Sequence, residues 1–217
     1  MTEISFKNQA GMTLAGRFEL PGNCEPPFAT VIFAHGLDSG KDSPRGLRVA
    51  ARLRDIGLAT FLFDFTGHGG SEGAREDSTI EQQARDLEAA VDTVCAIETV
   101  DTDAIGVNGA SSGGLVALMA ALEDDRIKTL VLRGPRTDGM AAYAPMFKHP
   151  ILIIQGEYDM LLPDSVSFHG LLRCDKRLEV VSGADHLFSG PGEMGRVTDL
   201  TAWWFKTRLR IGRRRAA

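Results

Sequence analysis

Cysteine is scarce in this chain: Cys24, Cys95 and Cys174 are the only three in 217 residues. Their odd number and wide spacing exclude a disulfide framework and a Cys-x-x-Cys metal site. Reduced thiols in a cytoplasmic protein are the expectation, with Cys95 packing into the core from a helical pattern. Long apolar runs are missing as well. No stretch approaches the roughly 18 to 20 residues of a membrane span. The start, Met1-Thr2-Glu3-Ile4-Ser5, lacks the basic and apolar regions of a signal peptide. Positive charge is not in excess: the net charge is −5, which argues against nucleic acid as a partner. There is no internal repeat and no low-complexity linker.

What is present suits a globular protein. Hydrophobic residues make up 43% of the chain and charged residues 24%, ordinary values for a folded domain. A single domain over residues 1–217 is expected, with a basic end around Arg208–Arg215 that frays from about residue 209.

Read in order, two strands near Ile4–Lys7 and Leu14–Leu20 form a hairpin around Asn8-Gln9-Ala10-Gly11. The runs Thr30–Ala34, Ala59–Phe63, Ala104–Val107, Thr129–Leu132, Ile151–Ile154 and Leu178–Val181 read as buried strands. Helical patterns lie between them. One opens at Ser43-Pro44, with proline at its first position. Another carries Ile80, Ala84, Leu87, Val91 and Val94 on one face behind a Ser78-x-x-Glu81 capping box. A helix starts near Pro163-Asp164, and the last covers roughly Gly192 to Arg208. Alternating strands and helices predict an α/β fold with a mostly parallel eight-stranded sheet, helices on both faces and an antiparallel N-terminal hairpin.

The stretch Thr102–Leu122 organises the rest. Gly109-x-Ser111-x-Gly113 stands between the Ala104–Val107 strand and the helical spacing of Leu115, Leu118, Met119 and Leu122. A serine on such a strand-to-helix turn is held out above the sheet, with the helix N-terminus behind it. The N–H groups and dipole of that terminus suit an oxyanion. Gly69-Gly70-Ser71-Glu72-Gly73 has the same spacing, but the polar Ala74-Arg75-Glu76-Asp77 that follows opens no apolar helix. Ser71 therefore lacks the setting of a nucleophile.

In a parallel sheet, residues just past the strand ends gather along one edge. There the chain places His35-Gly36-Leu37, Asp64 with its glycine loop, Ser111, Asp138, Asp159 and His186, with serine, acid and histidine in that order. Histidine can take and return a proton near neutral pH, and a buried carboxylate can orient it. His35 falls where a ring braces the loop, and His68 and Ser71 are read as organising a turn at the rim, with substrate contact by His68 the lesser alternative. Glu157 and Asp138 are alternatives to Asp159, whereas Asp185 is disfavoured by its adjacency to His186.

These motifs carry a resemblance. His35-Gly36, Asp64-x-x-Gly67-x-Gly69-x-Ser71, Gly109-x-Ser111-x-Gly113, Gly156-x-x-Asp159 and Asp185-His186 resemble those of the α/β-hydrolases, in particular the small bacterial members with a minimal cap of the esterase and dienelactone-hydrolase type. The resemblance covers nearly the whole chain. It implies Ser111 as nucleophile, Asp159 as acid, His186 as base, and oxyanion-hole N–H groups from Leu37 and Ser112. It implies a serine carboxylesterase acting on a small-molecule ester, with no cofactor or metal required. Dienelactone hydrolases use cysteine where this chain has Ser111, which shifts the expectation toward ordinary ester or thioester cleavage. The segment Gly134–His149 has room only for a small flap bearing Met140, Tyr143, Met146 and Phe147. A thioesterase or peptidase with the same triad, or a non-catalytic binding scaffold, are the alternatives.

Overall fold

The structure, a computed structural model, describes residues 2–22 and 24–209. Eight strands form one sheet: β1 (Thr2–Lys7), β2 (Thr13–Glu19), β3 (Phe28–Ala34), β4 (Ala59–Phe63), β5 (Val100–Ala110), β6 (Ile127–Arg133), β7 (Ile151–Gly156) and β8 (Lys176–Val181). Their spatial order is β1-β2-β4-β3-β5-β6-β7-β8. β2 pairs antiparallel with β1 and β4, and every later pairing is parallel. Parallel neighbours need crossovers, supplied by α1 (Pro44–Asp55), α2 (Ile80–Cys95), α3 (Ser112–Glu123) and α4 (Leu162–Leu171); α5 (Glu193–Arg208) follows the last strand.

The apolar runs of the central strands are continuous because both faces are covered. Along β3, Phe28, Ile32 and Ala34 face one core with Leu87, Leu118 and Phe168 from α2, α3 and α4. Ala29, Val31 and Phe33 face the other, with Leu53, Trp204 and Phe205 from α1 and α5. Cys95 packs half-buried against the first core.

Three local readings are corrected. The cap of α2 is Thr79, whose hydroxyl accepts from the Gln82 N–H, one residue beyond the expected Ser78. Ser78 is drawn away by the Gln83 side chain, which donates to its hydroxyl. β5 begins at Val100, earlier than its apolar run, because the β3 pairing at Phe28 extends it through polar residues. Leu209, at the start of the expected frayed end, is buried; residues 210–217 lie outside the described residues. Among the described residues, no helix is long and apolar enough to cross a membrane.

Candidate active site

Ser111 closes β5 and opens α3 with φ 52° and ψ −119°. Non-glycine residues seldom occupy this region, and holding one there costs about 1–3 kcal/mol. The flanking glycines permit the turn by what they lack. A Cβ on Gly113 would fall 2.2 Å from the Ala34 carbonyl oxygen, and one on Gly109 2.6 Å from the Gly113 carbonyl oxygen. The start of α3 thus lies directly on the ends of β3 and β5. The Ser111 N–H donates to the Arg133 carbonyl at 2.9 Å, and the Ser111 carbonyl accepts from Gly114 at 2.9 Å and Arg136 at 3.1 Å. The turn is pinned from both sides.

His186 arrives from the loop after β8. Its Nδ1 lies 2.6 Å from Asp159 Oδ2 and its Nε2 3.1 Å from Ser111 Oγ. A carboxylate only accepts, so Nδ1 carries the proton and donates it, leaving the Nε2 lone pair for the serine hydroxyl. Close loop packing makes this possible: a Cβ on Gly156 would fall 2.5 Å from the Asp185 carbonyl oxygen, and one on Gly134 3.2 Å from the His186 ring. Asp159 is buried, and its Oδ1 accepts the Leu161 N–H at 3.0 Å.

The expected oxyanion donors belong to segments touching Ser111. A Cβ on Gly36 would fall 3.2 Å from Ser111 Cβ, which sets the Leu37 loop against the serine. Ser112 is the first residue of α3, so its N–H has no acceptor within the helix.

The sequence pattern of a family described as serine aminopeptidase, S33, matches residues 25–148, more than half of the chain. The chain belongs to this family of α/β serine hydrolases. The matched stretch holds Leu37, Ser111 and Ser112 and ends before Asp159 and His186. A dienelactone hydrolase from Anabaena variabilis is 30% identical, with a TM-score of 0.84 over 96% of this chain and 98% of that one. A serine hydrolase without a lid from Xanthomonas campestris shares the fold at 21% identity, with a TM-score of 0.82 over 96% of this chain and 95% of its own. A Mycobacterium tuberculosis protein bearing the name of a phosphoribosyl transferase is 32% identical over 197 residues, 88% of this chain and 43% of its own length. The chain therefore spans less than half of that curated relative.

The chain engages its other strand-exit residues as braces. His35 is buried; its Nε2 accepts the Phe65 N–H at 3.2 Å, and its Nδ1 lies 2.9 Å from the Gly36 carbonyl. Burial pushes this imidazole down to about 4. His68 organises the turn as expected, but it does so from the interior rather than at the rim. It is buried, with Nδ1 2.9 Å from the Thr66 carbonyl and Nε2 2.6 Å from the Arg75 guanidinium. Ser71 Oγ donates to the Asp64 carbonyl at 2.6 Å and accepts the Ala15 N–H at 3.0 Å, tying the glycine loop to β2. The Asp64 side chain is 2% exposed and pairs with Lys41 Nζ at 2.9 Å. Burial raises this carboxyl, but N–H donors from Gly70 and Lys41 and the Lys41 ammonium outweigh it and hold the group below its ordinary value.

The alternative acids are occupied elsewhere. Asp138 pairs with Arg136, Glu157 accepts from Ser182 and Gly183, and Asp185 accepts the N–H groups of Leu187 and Ser189. The small flap contains one short 3-10 helix, Ala144–Met146, with Tyr143 and Met146 exposed and Phe147 packed on Phe168 of α4 at 6.0 Å. Sequence reasoning missed Gln155 as part of the site. Its Nε2 lies 2.5 Å from Asp159 Oδ2. The signal was there: a lone amide ending the apolar run Ile151–Ile154 must find a partner when both faces of its strand are covered.

Proposed function

We propose that the chain is a serine carboxylesterase with Ser111 as nucleophile, His186 as base and Asp159 as acid. The observation that carries this reading is the hydrogen-bonded series from Ser111 Oγ through His186 to Asp159, starting at a serine in strained backbone. A serine hydroxyl is a weak nucleophile until a neighbouring base takes its proton. His186 Nε2 accepts that proton as Ser111 Oγ attacks the ester carbonyl. The carbonyl oxygen becomes an oxyanion held by the N–H groups of Leu37 and Ser112, each worth about 3 to 4 kcal/mol in the transition state. His186 then protonates the departing alcohol, and water, activated by the same ring, releases the acid from Ser111. Asp159 holds the ring in the required tautomer and stabilises the imidazolium.

The small flap and the exposed Leu37, Tyr158 and Met160 support a small or exposed acyl group on the substrate. A second reading is aminoacyl amide hydrolysis by the same three residues, favoured by the description of the matching family as serine aminopeptidases. Fluorophosphonate labelling with peptide mapping, followed by a panel of oxygen esters, thioesters and aminoacyl amides, tests both. A single adduct on Ser111 with fastest turnover of oxygen esters is the expected result. No adduct on folded protein would favour a binding scaffold.

A further inference from the structure

The acid of the site is itself held by a second buried pair. Asp159 Oδ2 is shared by two donors, His186 Nδ1 at 2.6 Å and Gln155 Nε2 at 2.5 Å. Gln155 Oε1 accepts the Ser165 hydroxyl at 2.9 Å. Gln155 and Ser165 are both completely buried. The amide orientation follows from its neighbours, because a carboxylate cannot donate and the NH2 group must face it. Gln155 lies in β7 on the same face as Ile151 and Ile153, which α4 covers, and α4 carries Ser165. Hydrogen bonds therefore run without a break from Ser111 through His186, Asp159 and Gln155 to Ser165.

We propose that Gln155, oriented by Ser165, is a positioning residue for the reaction. This rests on reading Ser111, His186 and Asp159 as the triad. The Leu161 N–H holds one carboxylate oxygen and Gln155 the other, so the carboxylate plane cannot turn away from the imidazole. The Gln155 amide also takes up part of the charge on Oδ2. Asp159 is thereby fixed with Oδ2 toward His186 Nδ1.

Three variants test this in the full chain, each checked for folding by its melting temperature. Gln155→Met keeps the volume and removes the donor. Its kcat is expected to fall about 10- to 100-fold, the rate equivalent of one hydrogen bond to a charged group, with KM nearly unchanged. The acid limb of kcat/KM should move to higher pH, because Oδ2 then serves the imidazolium alone. Gln155→Glu donates only while protonated, so it should gain an alkaline loss that the unaltered protein lacks, as the two adjacent carboxylates both ionise. Ser165→Ala should show a smaller loss of the same kind.

Unchanged kcat and pH profile in folded Gln155→Met would overturn the proposal. A loss of stability with no movement of the pH profile would also overturn it, since it would mark a purely structural residue. If Gln155→Met does not fold, Gln155→Glu and Ser165→Ala decide by the same criteria. Asp159→Asn in the same assay separates the two levels of argument. Full activity in Asp159→Asn would remove the triad reading itself, whereas an inactive Asp159→Asn beside unaffected Gln155 and Ser165 variants would remove only this proposal.

Discussion

His186 Nε2 lies 3.1 Å from Ser111 Oγ although the residues are 75 positions apart. Two loops and two glycine contacts are needed to bring them together. Ser71, in a glycine setting of the same spacing, has its hydroxyl committed to the Asp64 carbonyl. The two serines should therefore respond differently to the same substitution. Ser111→Ala is expected to lower ester turnover by on the order of 10⁴ to 10⁶. Ser71→Ala should leave turnover nearly intact and cost about 1 kcal/mol of stability through its lost hydrogen bonds. Initial rates on a chromogenic ester, with urea unfolding of both variants, check this; a dead Ser71→Ala beside an active Ser111→Ala would reverse the assignment.

Asp159 Oδ2 lies 2.6 Å from the His186 ring, the base of the proposed reaction. Asp159→Asn is expected to lower kcat by on the order of 10⁴, because an amide can turn its NH2 to the ring and favour the wrong tautomer. Activity of the unaltered protein should fall in acid as His186 takes a proton and can no longer accept one from Ser111. A rate that stays flat down to about pH 4 would contradict that role.

His35 is expected to make stability depend on pH. Its imidazole is lowered from 6.5 to about 4, chiefly by burial. Protonation would also aim an N–H donor at the Phe65 N–H, which it now accepts. Between these values the unfolded chain binds a proton that the folded chain refuses, so stability falls as pH drops through that window and levels below it. The loss amounts to about 3 kcal/mol. Urea unfolding from pH 7 down to about 4 should show a slope that His35→Gln reduces. An identical slope in the variant would exclude His35 as its source.

Lys41 and Asp64 form a buried ion pair that ties the loop after β3 to the one after β4. Only 12% of the Lys41 side chain and 2% of Asp64 are exposed. Lys41→Met is expected to destabilise the protein by about 3 to 5 kcal/mol, because it leaves a buried carboxylate without its cation. Asp64 is held below its ordinary value, so its contribution is present above the unfolded value and is lost as pH falls through the folded one. The variant should unfold at a higher pH during acid titration followed by circular dichroism.

The strands, the helices and the turn at Ser111 were legible in the residue order. Burial on both faces writes continuous apolar runs, as in Val31–Phe33 and Ile151–Ile154, and a strand-to-helix turn under tight packing demands glycine at Gly109 and Gly113. These are local consequences of covering a sheet, so they are legible along the chain. The partner of each polar group, by contrast, emerged from the packing of distant loops. Asp138, Glu157 and Asp159 look alike in sequence, yet Arg136 occupies the first and Ser182 and Gly183 the second, while Asp159 meets His186. His68 reads as a rim residue and is instead buried against Arg75. Gln155 reads as the end of a strand and is hydrogen-bonded to the Asp159 carboxylate. A hydrogen bond is directional and short, so its partner depends on loop geometry between distant segments, which no local spacing encodes.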